Sequence, residues 1–120
     1  MDSILTSIKK LLGIPEEYTQ FDTDIIIHIN SALMALSQLG VGEGTDKNVS
    51  YSITGATETW TDLFTNEPWV IESVKTYIYL KVRLVFDPPT SSAVIEAINQ
   101  QIGELEYRIL IVGDMINGQS

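Results

Sequence analysis

The sequence predicts a mainly α protein: a small bundle of three main helices plus a short N-terminal helix, with one long loop that can hold a small β-hairpin. Three observations predict this. Apolar residues recur at helical spacing in four stretches, Ile4 to Leu12, Ile25 to Leu39, Ile71 to Val85 and Ile95 to Ile116. Glycine or proline closes the first three, at Gly13 with Pro15, at Gly40, and at Pro88-Pro89. Between Val41 and Thr59 the helical period vanishes, and Gly, Ser, Thr and Asp dominate.

The first helix is expected over 3–12, capped by Asp2 or Ser3, with Ile4, Leu5, Ile8, Leu11 and Leu12 on one face. Lys9 and Lys10 fall in its last turn, where cations suit the helix dipole. The second is expected over 23–39, capped by Asp22 or Thr23, with Ile25, Ile26, Ile29, Leu33, Leu36 and Leu39 on a broad apolar face. Ile27 and Met34 fall outside that stripe, which points to a second covered surface on the same helix. In the long loop, Val49, Tyr51 and Ile53 alternate with polar residues, the period of a short strand, and Gly55-Ala56 lie near the turn of a possible hairpin. Trp60 to Phe64 reads as one helical turn pinned by aromatics.

The third main helix is expected to start near Pro68, with Asn66 as its cap and Ile71, Val74, Ile78, Val82 and Val85 along one face. Asp87-Pro88-Pro89 ends it, because a residue before proline avoids helical dihedrals. The fourth begins at Thr90 or Ser91 and reaches Val112 or beyond. Residues 113–120 are expected as a flexible tail, within a single domain over 1–120.

Composition narrows the function. Seven Lys+Arg against sixteen Asp+Glu give a formal charge of −9. The acidity is spread along the chain, which opposes sequence-specific binding to a phosphate backbone. Cysteine is absent, which removes thiol chemistry and cysteine-ligated zinc. No secretory signal pattern and no run approaching the roughly 20 apolar residues of a membrane span is visible, so a soluble intracellular protein is expected.

Catalytic, cofactor and metal sites are not expected. His28 is the single histidine and stands between Ile27 and Ile29, so it reads as a helix-surface or partly buried residue, not a ligand or base. Glu104 and Glu106 lie about 200° apart around a helix and point away from each other. Asp46 and Asn48 lack the spacing and closing glutamate of a calcium loop. Gly42-Glu43-Gly44 has neither the preceding strand nor the following helix of a phosphate cradle.

The positive signal is the last helix. Ile95, Ile98, Ile102, Leu105, Ile109, Val112 and Ile116 are spaced alternately by 3 and 4, a heptad-type seam for long near-parallel packing. Its first part, to Leu105, suits the chain's own core. Its far end is apolar all round at Ile109, Leu110, Ile111 and Val112, with Met115 and Ile116 following. Leaving four such side chains in water forgoes roughly 6 kcal/mol or more, comparable with a domain's net stability. Those six residues are therefore the expected partner interface. Mid-helix Gly103 fits close approach of another backbone, or no constraint at all. Lys75, Lys81, Arg83 and Arg108 can pair with carboxylates of a neighbouring copy.

The run S-V-K-T-Y-I-Y-L-K-V-R-L-V-F-D-P-P, from Ser73 to Pro89, resembles the head–tail connector, or adaptor, proteins of tailed bacteriophages and prophages. T-W-T-D-L-F (Thr59 to Phe64), S-Q-L-G-V-G (Ser37 to Gly42), the opening L-L-G-I-P and the late E-L-E-Y-R are similar to that family too. The resemblance runs from about Ser3 to Val112. It implies a structural virion protein without catalytic residues or cofactor. Such proteins form a ring, typically dodecameric, beneath the portal, extend the DNA channel, and dock the next head-completion or tail protein after assembly in the bacterial cytoplasm. Portal contact then falls to Ile109, Leu110, Ile111, Val112, Met115 and Ile116. The loop carrying Val49, Tyr51 and Ile53 faces a tail-side partner or a neighbouring subunit. A different class, a small helical regulator binding a host or phage partner through the same apolar helix, is the alternative.

Overall fold

The structure, a computed structural model, describes residues 3–40, 52–64 and 70–117, with side chains as far as Ile111. Five helices and no sheet are present among the described residues: α1 (Ile4–Leu12), α2 (Asp22–Gln38), α3 (Trp60–Leu63), α4 (Ile71–Phe86) and α5 (Ser92–Asn117). This is the helical bundle that the apolar periodicity predicts.

Local chemistry sets the helix ends. Ser3 caps α1, its hydroxyl oxygen accepting the Thr6 amide at 3.0 Å. Gly13 ends that helix with φ +80°, a left-handed conformation that favours glycine. Thr59 and Asp62 form a reciprocal capping box on α3. Asp87 closes α4 directly before Pro88. At α2, Phe21 occupies the cap position and no side chain caps it, which corrects the expectation for Asp22 or Thr23. The expected start of the third main helix at Asn66 and Pro68 lies outside the described residues.

Helix α4 is the centre of the bundle, packed by α2, α5 and α1. It buries Val74, Tyr77, Ile78, Leu80 and Val82, more than one stripe, because neighbours cover it on more than one side. Val85 does not join that face; it is 60% exposed at the helix end. Ile4, Leu5 and Ile8 of α1, Ile25, Ile29, Leu33 and Leu36 of α2, and Trp60, Leu63 and Phe64 around α3 join the same core, whereas Leu11 stays about half exposed (49%). Burial of each such side chain contributes roughly 1.5–3 kcal/mol, so this cluster is the main source of stability.

Two polar devices hold the connecting segments. Lys9 is buried, and its ammonium donates to the carbonyls of Glu16 (2.9 Å) and Tyr18 (2.7 Å) while pairing with Asp22 Oδ1 at 2.9 Å. It thereby straps the α1–α2 connection, and Asp22 serves this ion pair in place of a cap. Asn30 of α2 treats Ile53 as a strand neighbour would, accepting its N–H at 2.7 Å and donating to its C=O at 3.1 Å. The expected hairpin falls largely on residues outside the described ones. Over 52–59 the chain shows a bend at Gly55-Ala56 and one isolated bridge, Ser3 to Thr59.

Candidate protein-interaction interface

The heptad seam on α5 divides as its composition suggests, with one correction. Ile98, Ile102, Leu105 and Ile109 are buried. Ile109 belongs to the core at 2% exposure and is unavailable to a partner, contrary to expectation. The neighbouring Leu110 and Ile111 are 39% and 38% exposed and form the start of the uncovered end. The helix itself runs on to Asn117, through most of the stretch expected as a tail. The side chains of Val112, Met115 and Ile116 lie outside those described.

A buried stripe of one residue in every three or four leaves most of α5 in solvent. Opposite the seam stand Gly103 and Tyr107, the latter 66% exposed, with Leu110 and Ile111 one turn further on. Beyond the helix's own adjacent backbone, no described atom lies within 4 Å of where a Cβ on Gly103 would stand, so the chain's own packing does not require glycine there. Sequence reasoning did not single out Tyr107. The seam spacing held the signal, since residues midway between seam positions must face outward.

Tyr77 fixes α5 on α4. Its buried hydroxyl donates to Glu106 Oε2 at 2.8 Å. Burial, the hydrogen bond to Glu106 and that residue's charge push the phenol well above the usual tyrosine range. Glu104 is exposed, consistent with the expected divergence of the two carboxylates.

The cations expected at a subunit contact are mostly held by aromatics. Lys75 lies over the Trp60 ring at 5.9 Å and within 4.0 Å of Glu72. Lys81 lies over Tyr77 at 5.8 Å, and Arg83 donates to the Tyr79 hydroxyl at 3.2 Å. Arg108 is exposed on α5. In the long loop, Ile53 is buried at 2% and anchors the segment, so its side chain is not offered to a partner as expected. Val49 and Tyr51 lie outside the described residues.

A groove of about 290 Å³ opens between the last turns of α1 and α4, bordered by Lys10, Leu11, Leu12, Tyr79 and Arg83. His28 is half-buried, and no cluster of three metal-ligating residues is present among the described residues. Nor is any described helix long and apolar enough to cross a membrane.

The family model for phage connector protein matches residues 4–115. The chain belongs to that family. It is therefore a structural phage protein of the head–tail junction, the setting that the block from Ser73 to Pro89 implied. The family match covers α1 to α4 whole and α5 as far as residue 115, Leu110 and Ile111 included. No curated protein and no solved structure gives a significant match.

Proposed function

We propose that this connector works as a single domain over 1–120, forming a ring, dodecameric in the virion, beneath the portal. The ring extends the DNA channel and docks the next head-completion or tail protein. The observation that carries this reading is the uncovered apolar end of α5. Leu110 and Ile111 are exposed on a helix whose opposite side is already committed to the core, so a second protein surface is the economical cover. Portal contact is assigned to Leu110 and Ile111 with the following Val112, Met115 and Ile116. Lys75, Lys81, Arg83 and Arg108 serve contacts between subunits, and the loop with Val49 and Tyr51 serves a tail-side partner or neighbour. A net charge of −9 suits a channel that passes DNA without gripping phosphate.

The test is size-exclusion chromatography with light scattering, on the full chain alone and with portal. A ring, or a monomer that forms one on portal, is expected. The double variant Leu110→Asp/Ile111→Asp should lose portal binding while its thermal unfolding stays close to the parent's. Unchanged portal binding by that variant sinks the portal assignment. A stable heterodimer with a host protein and no ring favours the regulatory alternative.

A further inference from the structure

The groove at the end of α4 and the outward face of α5 carry opposite charges at Arg83 and Glu104, and one molecule cannot bring them together. Tyr79, Arg83 and Phe86 share one stripe of α4, being spaced by four and three residues. Beside them, Phe21 meets Phe86 edge-on at 5.5 Å and stacks on Tyr18 at 5.6 Å, which extends the apolar wall past the groove. Tyr18, Phe21 and Leu11 are 36%, 39% and 49% exposed. The groove also holds two of the chain's seven Lys+Arg, Lys10 and Arg83, with Asp87 at its edge. The lining therefore keeps an excess of one positive charge in an otherwise acidic protein.

The outer face of α5 offers a carboxylate, Glu104, beside an exposed aromatic ring. Tyr107 is the most exposed large apolar side chain of the described residues, with Glu104 exposed one turn before it and Arg108 exposed beside it. Gly103, one turn before Tyr107, leaves a notch for close approach. The chain cannot serve itself. Glu106 meets Tyr77, whereas Arg83 lies six residues, about 9 Å, further toward the far end of α4. From Glu106 onward α5 runs away from the groove, since a short connection turns it back antiparallel to α4.

We infer that Tyr107 of one copy seats in the α1–α4 groove of the next, with Glu104 facing Arg83. The contact rests on the assembly reading above and names the surfaces that join neighbours. It is heterologous, two different patches on each subunit, the kind that closes into a ring when the rotation allows. It uses the helix turn before Leu110, so the end assigned to portal stays available. Buried tyrosine and arginine are the residue types that most often dominate such contacts.

Because the chain has no cysteine, a double variant Leu11→Cys/Tyr107→Cys reports the contact directly. Under mild oxidation, with portal present, it should give a ladder of covalent multimers, while each single variant gives at most dimers. In the cysteine-free background, Arg83→Glu and Glu104→Arg should each raise the concentration for half-assembly by about tenfold or more, and the double reversal should restore it. Circular dichroism and thermal unfolding confirm that each variant folds. If multimers form but the cysteine pair does not link and the charge reversals change nothing, this contact is wrong and the ring reading stands. A chain that stays monomeric even with portal overturns both.

Discussion

The Tyr77 hydroxyl donates to Glu106 Oε2 at 2.8 Å, and this is the polar tie between the central helix and the helix that carries the interface. Tyr77 is completely buried, while Glu106 is partly exposed at the rim of the α4–α5 contact. Removing the hydroxyl with Tyr77→Phe leaves Glu106 able to find water, so the cost should be modest, about 1–2 kcal/mol by urea denaturation.

The same pair sets a response to alkali. Because the folded-state pKa of Tyr77 is raised, its stabilisation is complete below the unfolded value of about 10 and is lost as pH rises above it. Urea midpoints of the parent should therefore fall between pH 9 and 11 more steeply than those of Tyr77→Phe, at about these pH values. Parallel slopes would show that the burial of this phenol is not felt.

Acid should act on the segment 52–59. Burial alone would raise the Glu58 pKa, but hydrogen bonds from the Thr54 amide and hydroxyl, from its own amide and from the Thr57 hydroxyl lower it overall. Its contribution is present above the unfolded value of about 4.3 and is lost as pH falls through the lower folded value. Hydrogen exchange at the Thr54 amide should lose protection below about pH 4 after correction for intrinsic rates, and Glu58→Gln should reproduce that loss at neutral pH.

Lys9 is the buried charge whose removal should hurt most. Lys9→Met leaves Asp22 Oδ1 buried without its ammonium and frees the carbonyls of Glu16 and Tyr18. A loss of roughly 2–4 kcal/mol is expected, less than for a wholly buried pair because Asp22 keeps some solvent. Asp22→Asn should cost less, since both carbonyl bonds survive. Equal losses from the two variants would contradict this ranking.

Asn30 should matter out of proportion to its size. Asn30→Leu removes both bonds to the Ile53 peptide and strands that peptide over a helix, at a cost of roughly 1–3 kcal/mol. The Ile53 amide should lose its hydrogen-exchange protection in the variant while amides at the centre of α4 keep theirs.

Most of the fold was legible because it depends on local signals. The stripes of α1, α2 and α5, the stops at Gly13 and Pro88, and the single turn at Trp60 each follow from spacing or backbone chemistry within a few residues. The interface was legible only in part. Apolar character on every side at Ile109 to Val112 marked the right turn of α5, yet periodicity could not say that Ile109 faces α4 while Leu110 and Ile111 face outward. That choice depends on the rotation of the helix on its neighbour. Lys9 and Asp22 read as a dipole-suited cation and a helix cap, because a pair thirteen residues apart carries no periodic signature.

By itself, then, the sequence determined the helices, their stops, the acidic balance and the family, each a property of neighbouring residues or of ordered blocks. The tertiary structure alone decided which faces remain open. Packing α4 against α1, α2 and α5 spent the seam to Ile109 on the core and left Tyr107, Leu110 and Ile111 outside. It also set Leu11, Arg83 and Tyr79 around one groove. Exposure is a difference between a residue's own surface and what distant residues cover, and no local pattern contains the second quantity.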